Sequence, residues 1–539
     1  MTGRAELVIR GRIVLAATPD GLETAEAIAI ADGRIVAAGS RDEVSAAGAR
    51  VVDAGDAAVV PGIHDFHVHL VGLARARGAV RLDDARDIGE VADRLAHSAS
   101  TAEPGAWIAG RGWTEAQLTT ELGVLEAAVG EHPAFLHSHD GHSAWASATA
   151  RRVAGLGPAT SEPAGGRIER DVRGEPTGIL RETALDLVAA HVARPQGNAL
   201  RGPLDASLRE LAGLGITGAS EAGDYTDTNG TGADAALGDS YSTLTELGDL
   251  LDGRLRMTLG IPADAIDAAA ARGLRTGKPL DGRRTMRFGW AKEYADGALG
   301  SGTAALLAPR TCGPADTGIL RVTDDELDAL FATSRPAAIG MAIHAIGDRA
   351  GRTVLDAIGR AGPRRAGVPN DRIEHVQLLE PADATRFAGL GVTASVQPIH
   401  AAADRDLVEA CWGGRQDNAY AWRRLVSGGA LLAAGSDAPV ESVNPWLGIF
   451  AAVHRRLTSD DRGDWRPGQA LSVTEALSAY TLAPATAVGS TDEGHLRVGA
   501  RADLAILSVP LEVLLAGDER LAGLRSRLTL VDGREVPRD

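Results

Sequence analysis

The chain has 539 residues and a formal net charge of −17, from 55 Lys and Arg against 72 Asp and Glu. At roughly 150 residues per domain, this length suits about three units, or one large barrel with an accessory domain. The acidic balance argues against nucleic acid and anionic lipid as partners, while 44% hydrophobic residues and aperiodic Gly and Pro exclude a disordered or collagen-like chain.

The opening stretch MTGRAELVIRGRIVLAA carries Glu6 and Arg10 within its apolar run and lacks the form of a signal peptide. No apolar run without a charge is long enough to span a bilayer, so the expectation is a cytoplasmic protein acting on a small molecule, with a homodimer as its assembly. Residues 5 to 60 read as short strands, with Asp32-Gly33 as a hairpin turn. Strand-like runs return at 502 to 509 and 527 to 536, the latter with Asp532-Gly533. Each terminal piece alone would expose an apolar face, so the two are expected to form one small β-sandwich, residues 1–62 with 488–539.

Between them lie short apolar runs at 208 to 220, 256 to 261, 284 to 297, 337 to 348, 371 to 379, 389 to 398 and 429 to 439. Helix-like segments such as 323 to 334 and 383 to 390 separate several of them. This alternation predicts an α/β fold, a (β/α)8 TIM barrel over 63–487, with 74–200 as an insertion after the first strand. A Rossmann sheet is the competing topology, but G-x-G-x-x-G after a first strand and the Walker A motif are both absent. The two cysteines, Cys312 and Cys411, are too few for a disulfide scaffold and form no Cys-x-x-Cys metal pair.

The polar landmarks fall at the carboxyl ends of these runs, the catalytic face of such a barrel. His67 and His69 are two apart on a strand, so both rings leave one side and can bind one cation; an isolated pair of this kind is equally compatible with two hydrogen-bonded histidines. Lys292, His344, His375 and Asp437 each end a separate run, and together the landmarks favour a divalent metal site, of one or two ions, with zinc the expected metal. Glu293 is a rival to Lys292, but adjacent strand residues point to opposite faces, so only one of them enters the barrel mouth.

The strings PGIHDFHVHL, GRGWTEAQL, DGHSAW, KEYADGALGS, IHAIGDRA, RIEHVQLL, VQPIHAAADRD and GSDAPVE resemble the amidohydrolase superfamily, in its N-substituted formamide deformylase-like (YtcJ-like) branch. The resemblance covers about residues 5 to 535. It implies a metal-dependent hydrolase of amide or N-substituted formamide C–N bonds, with another bond of the same superfamily (cyclic amide, carbamate or exocyclic amine) as the alternative. A non-catalytic metal-binding protein is the remaining alternative. By position it implies His67 and His69 on a first metal, His344 and His375 on a second, and Lys292 bridging as an N6-carboxylated side chain. Asp437 would bind metal and shuttle the proton, and His375 joins it as a catalytic candidate. Gly302, Ser147 and Glu221 depart from the branch's pattern.

Substrate contacts are expected from Trp113, His142, Asp296 and Gln397, with Gly141 suiting a tight loop that aims His142 at the site. Asp348 is expected behind the ligands, and His64, His137, His139, His400 and His454 are read as bystanders. G-x-S-x-G is missing, so a Ser-His-Asp scheme has no support.

Overall fold

Eight apolar runs of the middle region become strands because they are β-branched, Leu- or Ala-rich and stopped by glycine or polar residues. The computed structural model describes residues 5–114, 122–192, 195–223, 232–280 and 282–538. In it, strands Ile63–Val68, Ile216–Glu221, Arg256–Pro262, Met286–Tyr294, Gly340–Ala345, Arg372–His375, Thr393–Val396 and Leu431–Ala434 pair in sequence order. Every neighbouring pair is parallel. Helices such as Asp324–Ala337 and Asp348–Ala361 cross between strands, and their buried faces join the largest apolar core. This is the (β/α)8 barrel.

No hydrogen-bonded ladder joins the first and eighth strands among the described residues. Their ends are stitched by individual bonds instead. Asp437 N donates to His67 O at 2.7 Å and His69 N to Ala438 O at 2.8 Å. The buried Asp65 carboxylate accepts from Ser436 N at 2.9 Å and Ser436 Oγ at 2.6 Å. Gly435 is required at this seam, because a Cβ there would stand 2.3 Å from His67 N. One expected strand is shorter than its apolar run. Of 208 to 220, the first part ends the helix Arg201–Gly213, since Leu204, Leu208 and Leu211 repeat at helical spacing; the strand begins only at Ile216.

Strands from both termini share one seven-stranded sheet, in the order Arg534–Glu535, Ser526–Val531, Leu504–Pro510, Arg50–Pro61, Leu7–Thr18, Gly21–Ala31, Arg34–Gly39. Bulges bend its long strands, and separate apolar clusters built on Ile9 and on Val8 cover its faces. Asp32 and Asp532 adopt φ of 49° and 48° ahead of Gly33 and Gly533, the two-residue turns read from the sequence.

Residues within 74–200 build a sheet of their own, six strands in the order Gly166–Arg170, Pro176–Glu182, Ser143–Ala146, Ala134–Ser138, Ile108–Trp113, Val80–Arg81. Two apolar clusters, one around Trp113 and Trp145 and one around Phe135 and Leu180, sit against it. A disulfide links Cys312 to Cys411, tying the segment after the fourth barrel strand to the helix Arg405–Cys411. No helix among the described residues is long and apolar enough to cross a membrane.

Candidate active site

The carboxyl ends of the barrel strands and the loops of the insertion enclose a cavity of about 300 Å³. Its floor carries His67, His69, Lys292, His344, His375 and Asp437, and these lie at five different strand ends. Asp437 is the hub. Its Oδ1 lies 3.4 Å from His67 Nε2 and 3.2 Å from His69 Nε2, and its Oδ2 lies 3.4 Å from His400 Nε2 and 3.9 Å from His375 Nδ1. Two groups of ligand-type atoms result, His67, His69 and Asp437, and His375, His400 and Asp437. His400 was read as a bystander and is part of the second group. It stands on the short helix Pro398–Ala403 beyond the seventh strand, where a search of strand ends does not look.

Three of the ligand histidines, His67, His69 and His375, are turned by a partner behind them. His67 Nδ1 donates to Glu374 Oε2 at 2.6 Å, and His69 Nδ1 donates to Gly223 O at 2.9 Å, so both Nε2 atoms face Asp437. Glu374 is held in turn by Arg372, whose Nε lies 2.5 Å from Glu374 Oε1. The Arg372 guanidinium is packed between the rings of Phe66 and Trp290, at 4.6 and 4.5 Å, and donates to Phe66 O. This apolar clamp therefore fixes the orientation of a ligand two steps away. Gln397 Oε1 accepts from His375 Nδ1 at 2.8 Å, which orients that ring.

His344 stands apart from both groups. Its ring packs 4.6 Å from that of His375, while Nε2 donates to Gly297 O at 3.0 Å. Lys292 is buried in the same floor with its ammonium over Tyr294, and Glu293 bonds to the backbone of Tyr294. Asp296 accepts from the amides of Ala305, Ile346 and Gly347, which joins the loops after the fourth and fifth strands. Asp348 accepts from Leu307 N, away from the floor. Glu221 accepts from Leu70 N at 2.8 Å, directly behind His69; Ser147 caps the helix Ala148–Val153; and Gly302 adopts φ 67°, where a side chain would run into Arg310.

Burial sets the charges. It drives the imidazoles of His344 and His375 well below their usual pKa, so both are neutral bases at pH 7. It pushes Lys292 down to about 8, against the pull of Glu374 and Asp437. Burial also acts to raise Asp437, but His67, His400 and His69 outweigh it and hold the carboxyl well below its usual value. His375 and Asp437 adopt φ of 72° and 60°, a left-handed backbone that costs a non-glycine residue about 1 kcal/mol or more. The strain falls on two residues of the cluster.

A cation fits this donor set. His67 Nε2, His400 Nε2 and Asp437 Oδ1 are buried and lack a hydrogen-bond partner within the protein, His67 facing one oxygen of the Asp437 carboxylate and His400 the other. Leaving such groups unmet costs several kcal/mol in total, which an ion between them would recover.

The insertion supplies the roof. Asp140 Oδ1 accepts from His142 N and Ser138 Oγ, and Gly141 takes φ 73°, so the loop 139–142 turns both of its histidines inward. His142 Nδ1 lies 3.0 Å from Glu182, which also accepts from Thr303 and faces Arg321. His139 Nε2 donates to Glu441 at 3.0 Å. Trp113 lines the cavity and donates through Nε1 to Leu136 O, so it is both wall and core. Residues 115–118 of the GRGWTEAQL string lie outside the described residues. Of the other histidines, His64 bonds Ser220 within the barrel, His137 packs on Phe135, and His454 faces Asp464 at the surface.

A strand barrel with His, Lys and Asp at its carboxyl rim defines a metal-hydrolase architecture, and comparison with known proteins agrees. The sequence pattern of the amidohydrolase family matches residues 50–537, and the chain belongs to that family, in its formamide deformylase-like branch. The protein LONG AFTER FAR-RED 3 of Arabidopsis thaliana is 31% identical over 93% of this chain and 87% of its own length. The N-substituted formamide deformylase of Arthrobacter pascens is 27% identical over 94% of each chain. An uncharacterized metal-dependent hydrolase from Pyrococcus furiosus has a solved structure that superposes with a TM-score of 0.69, at 25% identity, over 92% of this chain and 97% of its own.

Proposed function

We propose that the protein hydrolyses a carbon–nitrogen bond of a small amide, with an N-substituted formamide as the best-supported substrate. The observation that carries this reading is the convergence of His67, His69, His375 and His400 on the Asp437 carboxylate at the cavity floor. The formamide deformylase of Arthrobacter pascens, similar along almost the whole chain, supports the choice of bond.

His67, His69 and Asp437 would hold a first zinc ion and His375 with His400 a second, with Lys292 as N6-carboxylate and His344 beside them. A divalent cation there supplies Lewis acidity and lowers the pKa of water toward 7. The remaining chemistry belongs to the chain. Asp437, ionised and facing the cavity, takes the proton of the attacking water and returns it to the leaving nitrogen. Lys292, with its ammonium lowered to about 8, retains enough neutral amine to add carbon dioxide, forming an N–C bond and releasing one proton. Trp113, Leu299, Leu407 and Val440 wall the cavity and exclude water from the reacting carbonyl.

The test pairs metal analysis of the purified protein with a screen of N-formyl, N-acyl and cyclic amides. The expected result is bound zinc, formamide turnover, and a fall in kcat/KM of about a thousandfold in Asp437→Asn. Parental turnover in that variant would overturn the assignment of the proton carrier.

A further inference from the structure

Beside the first cavity lies a second, of about 340 Å³, between the insertion and the rim of the barrel. His69, Ser138, His139 and Val440 line both, so the second space begins where the ligand cluster ends. Its walls are mainly apolar, with Phe135, Leu185 and Val192 contributed by the insertion.

The charges in that space are unequal. Arg75 is matched by the buried Asp239 at 2.6 Å. The nearby acids are also taken: Glu441 by His139 at 3.0 Å, and Asp83 by Arg81 at 2.9 Å. Arg111, on the strand Ile108–Trp113, donates to the Pro439 carbonyl and has no ion-pair partner among the described residues. A guanidinium is a planar fork of donors that matches a carboxylate two bonds at a time. A dianion is a poorer match, because Asp83, Glu441 and Asp437 already act on Arg111 and the chain as a whole is acidic.

We propose that this second cavity receives an apolar arm of the substrate that ends in a carboxylate, and that Arg111 anchors it. The proposal rests on the hydrolase reading and narrows its substrate class to amides or formamides with an acid at the far end of one arm. The C–N bond is cleaved beside His69 while the acid is held in the neighbouring space. Arg111 acts on binding and orientation, not on the chemical step.

The experiment uses the zinc-loaded full-length protein and ω-(formylamino)alkanoates of increasing chain length, each beside its methyl ester. At the chain length that spans the two cavities, kcat/KM for the acid exceeds that for the ester by about 10- to 100-fold, the value of a charge-assisted contact. Arg111→Gln removes that ratio. Ala79→Phe, which narrows the cavity and keeps Arg111, moves the preferred length to shorter acids and guards against a folding failure of the first variant. Calorimetric binding of hydrolysis-resistant sulfonamide analogues gives the same acid-to-ester ratio without turnover. Equal handling of acid and ester by the parent, or a preference that survives Arg111→Gln, overturns the proposal. Absence of any formamide turnover instead sinks the hydrolase reading, while the calorimetric ratio still decides the anchor.

Discussion

The floor and the roof of the cavity are built on different rules. On the floor, every functional side chain but His400 lies at the carboxyl end of a parallel strand, and chain order is spatial order around the rim. On the roof, His139 and His142 come from a hairpin loop of a separate, mixed sheet in which Gly166–Arg170 and Pro176–Glu182 break chain order. The floor gathers four imidazoles, those of His67, His69, His375 and His400, around one carboxylate, a donor set for a cation. The roof holds each histidine against a glutamate, His142 on Glu182 and His139 on Glu441. His139 and His142 belong to neither group of ligand-type atoms on the floor, so the two halves divide cation binding from substrate handling.

That division is broken most severely by cutting the floor's support. Glu374→Gln keeps the size of the side chain but weakens its grip on His67 Nδ1 and leaves Arg372 without its buried anion. Metal affinity should fall about 10- to 100-fold, measured by competition with a chromogenic chelator. Stability should fall as well, by about 3 kcal/mol, because an uncompensated charge stays buried between Phe66 and Trp290. Unchanged metal affinity would show that the clamp does not orient the ligand. A smaller effect is expected on the roof. Glu182→Gln frees the His142 ring from its anion, and kcat/KM should drop about tenfold with zinc content unchanged. Loss of zinc in that variant would erase the distinction between the halves.

The same distinction explains what the sequence disclosed. Lys292, His344, His375 and Asp437 were legible because polar residues ending apolar runs mark the carboxyl face of a barrel. His400 was not, since it lies on a helix three residues beyond Gln397. Glu374 was hidden beside His375, because alternation along a strand sends neighbours to opposite sides and only the packed barrel shows that both sides converge on His67. The sheet of the insertion could be seen as extra length but not as a roof. Pairing order in such a sheet depends on contacts between distant segments, and Arg111, His139 and Glu441 meet only after they form.

The finest probe is the pair His139 and Glu441, which joins roof to rim. Burial would lower the His139 pKa, but the bond to Glu441 outweighs it and raises the imidazole to about 9. A histidine whose folded pKa is raised contributes fully below its unfolded value near 6.5, and that contribution disappears as pH rises through about 9. Glu441→Gln removes the anion. The gap in melting temperature between parent and variant should therefore be widest at about pH 6 and close by about pH 9.5. The gap should be small throughout, because the His139 side chain is 34% exposed and solvent screens the pair. A gap that stayed constant across this range would mean that Glu441 supports the loop by packing alone, and that no charged contact spans the seam between insertion and barrel.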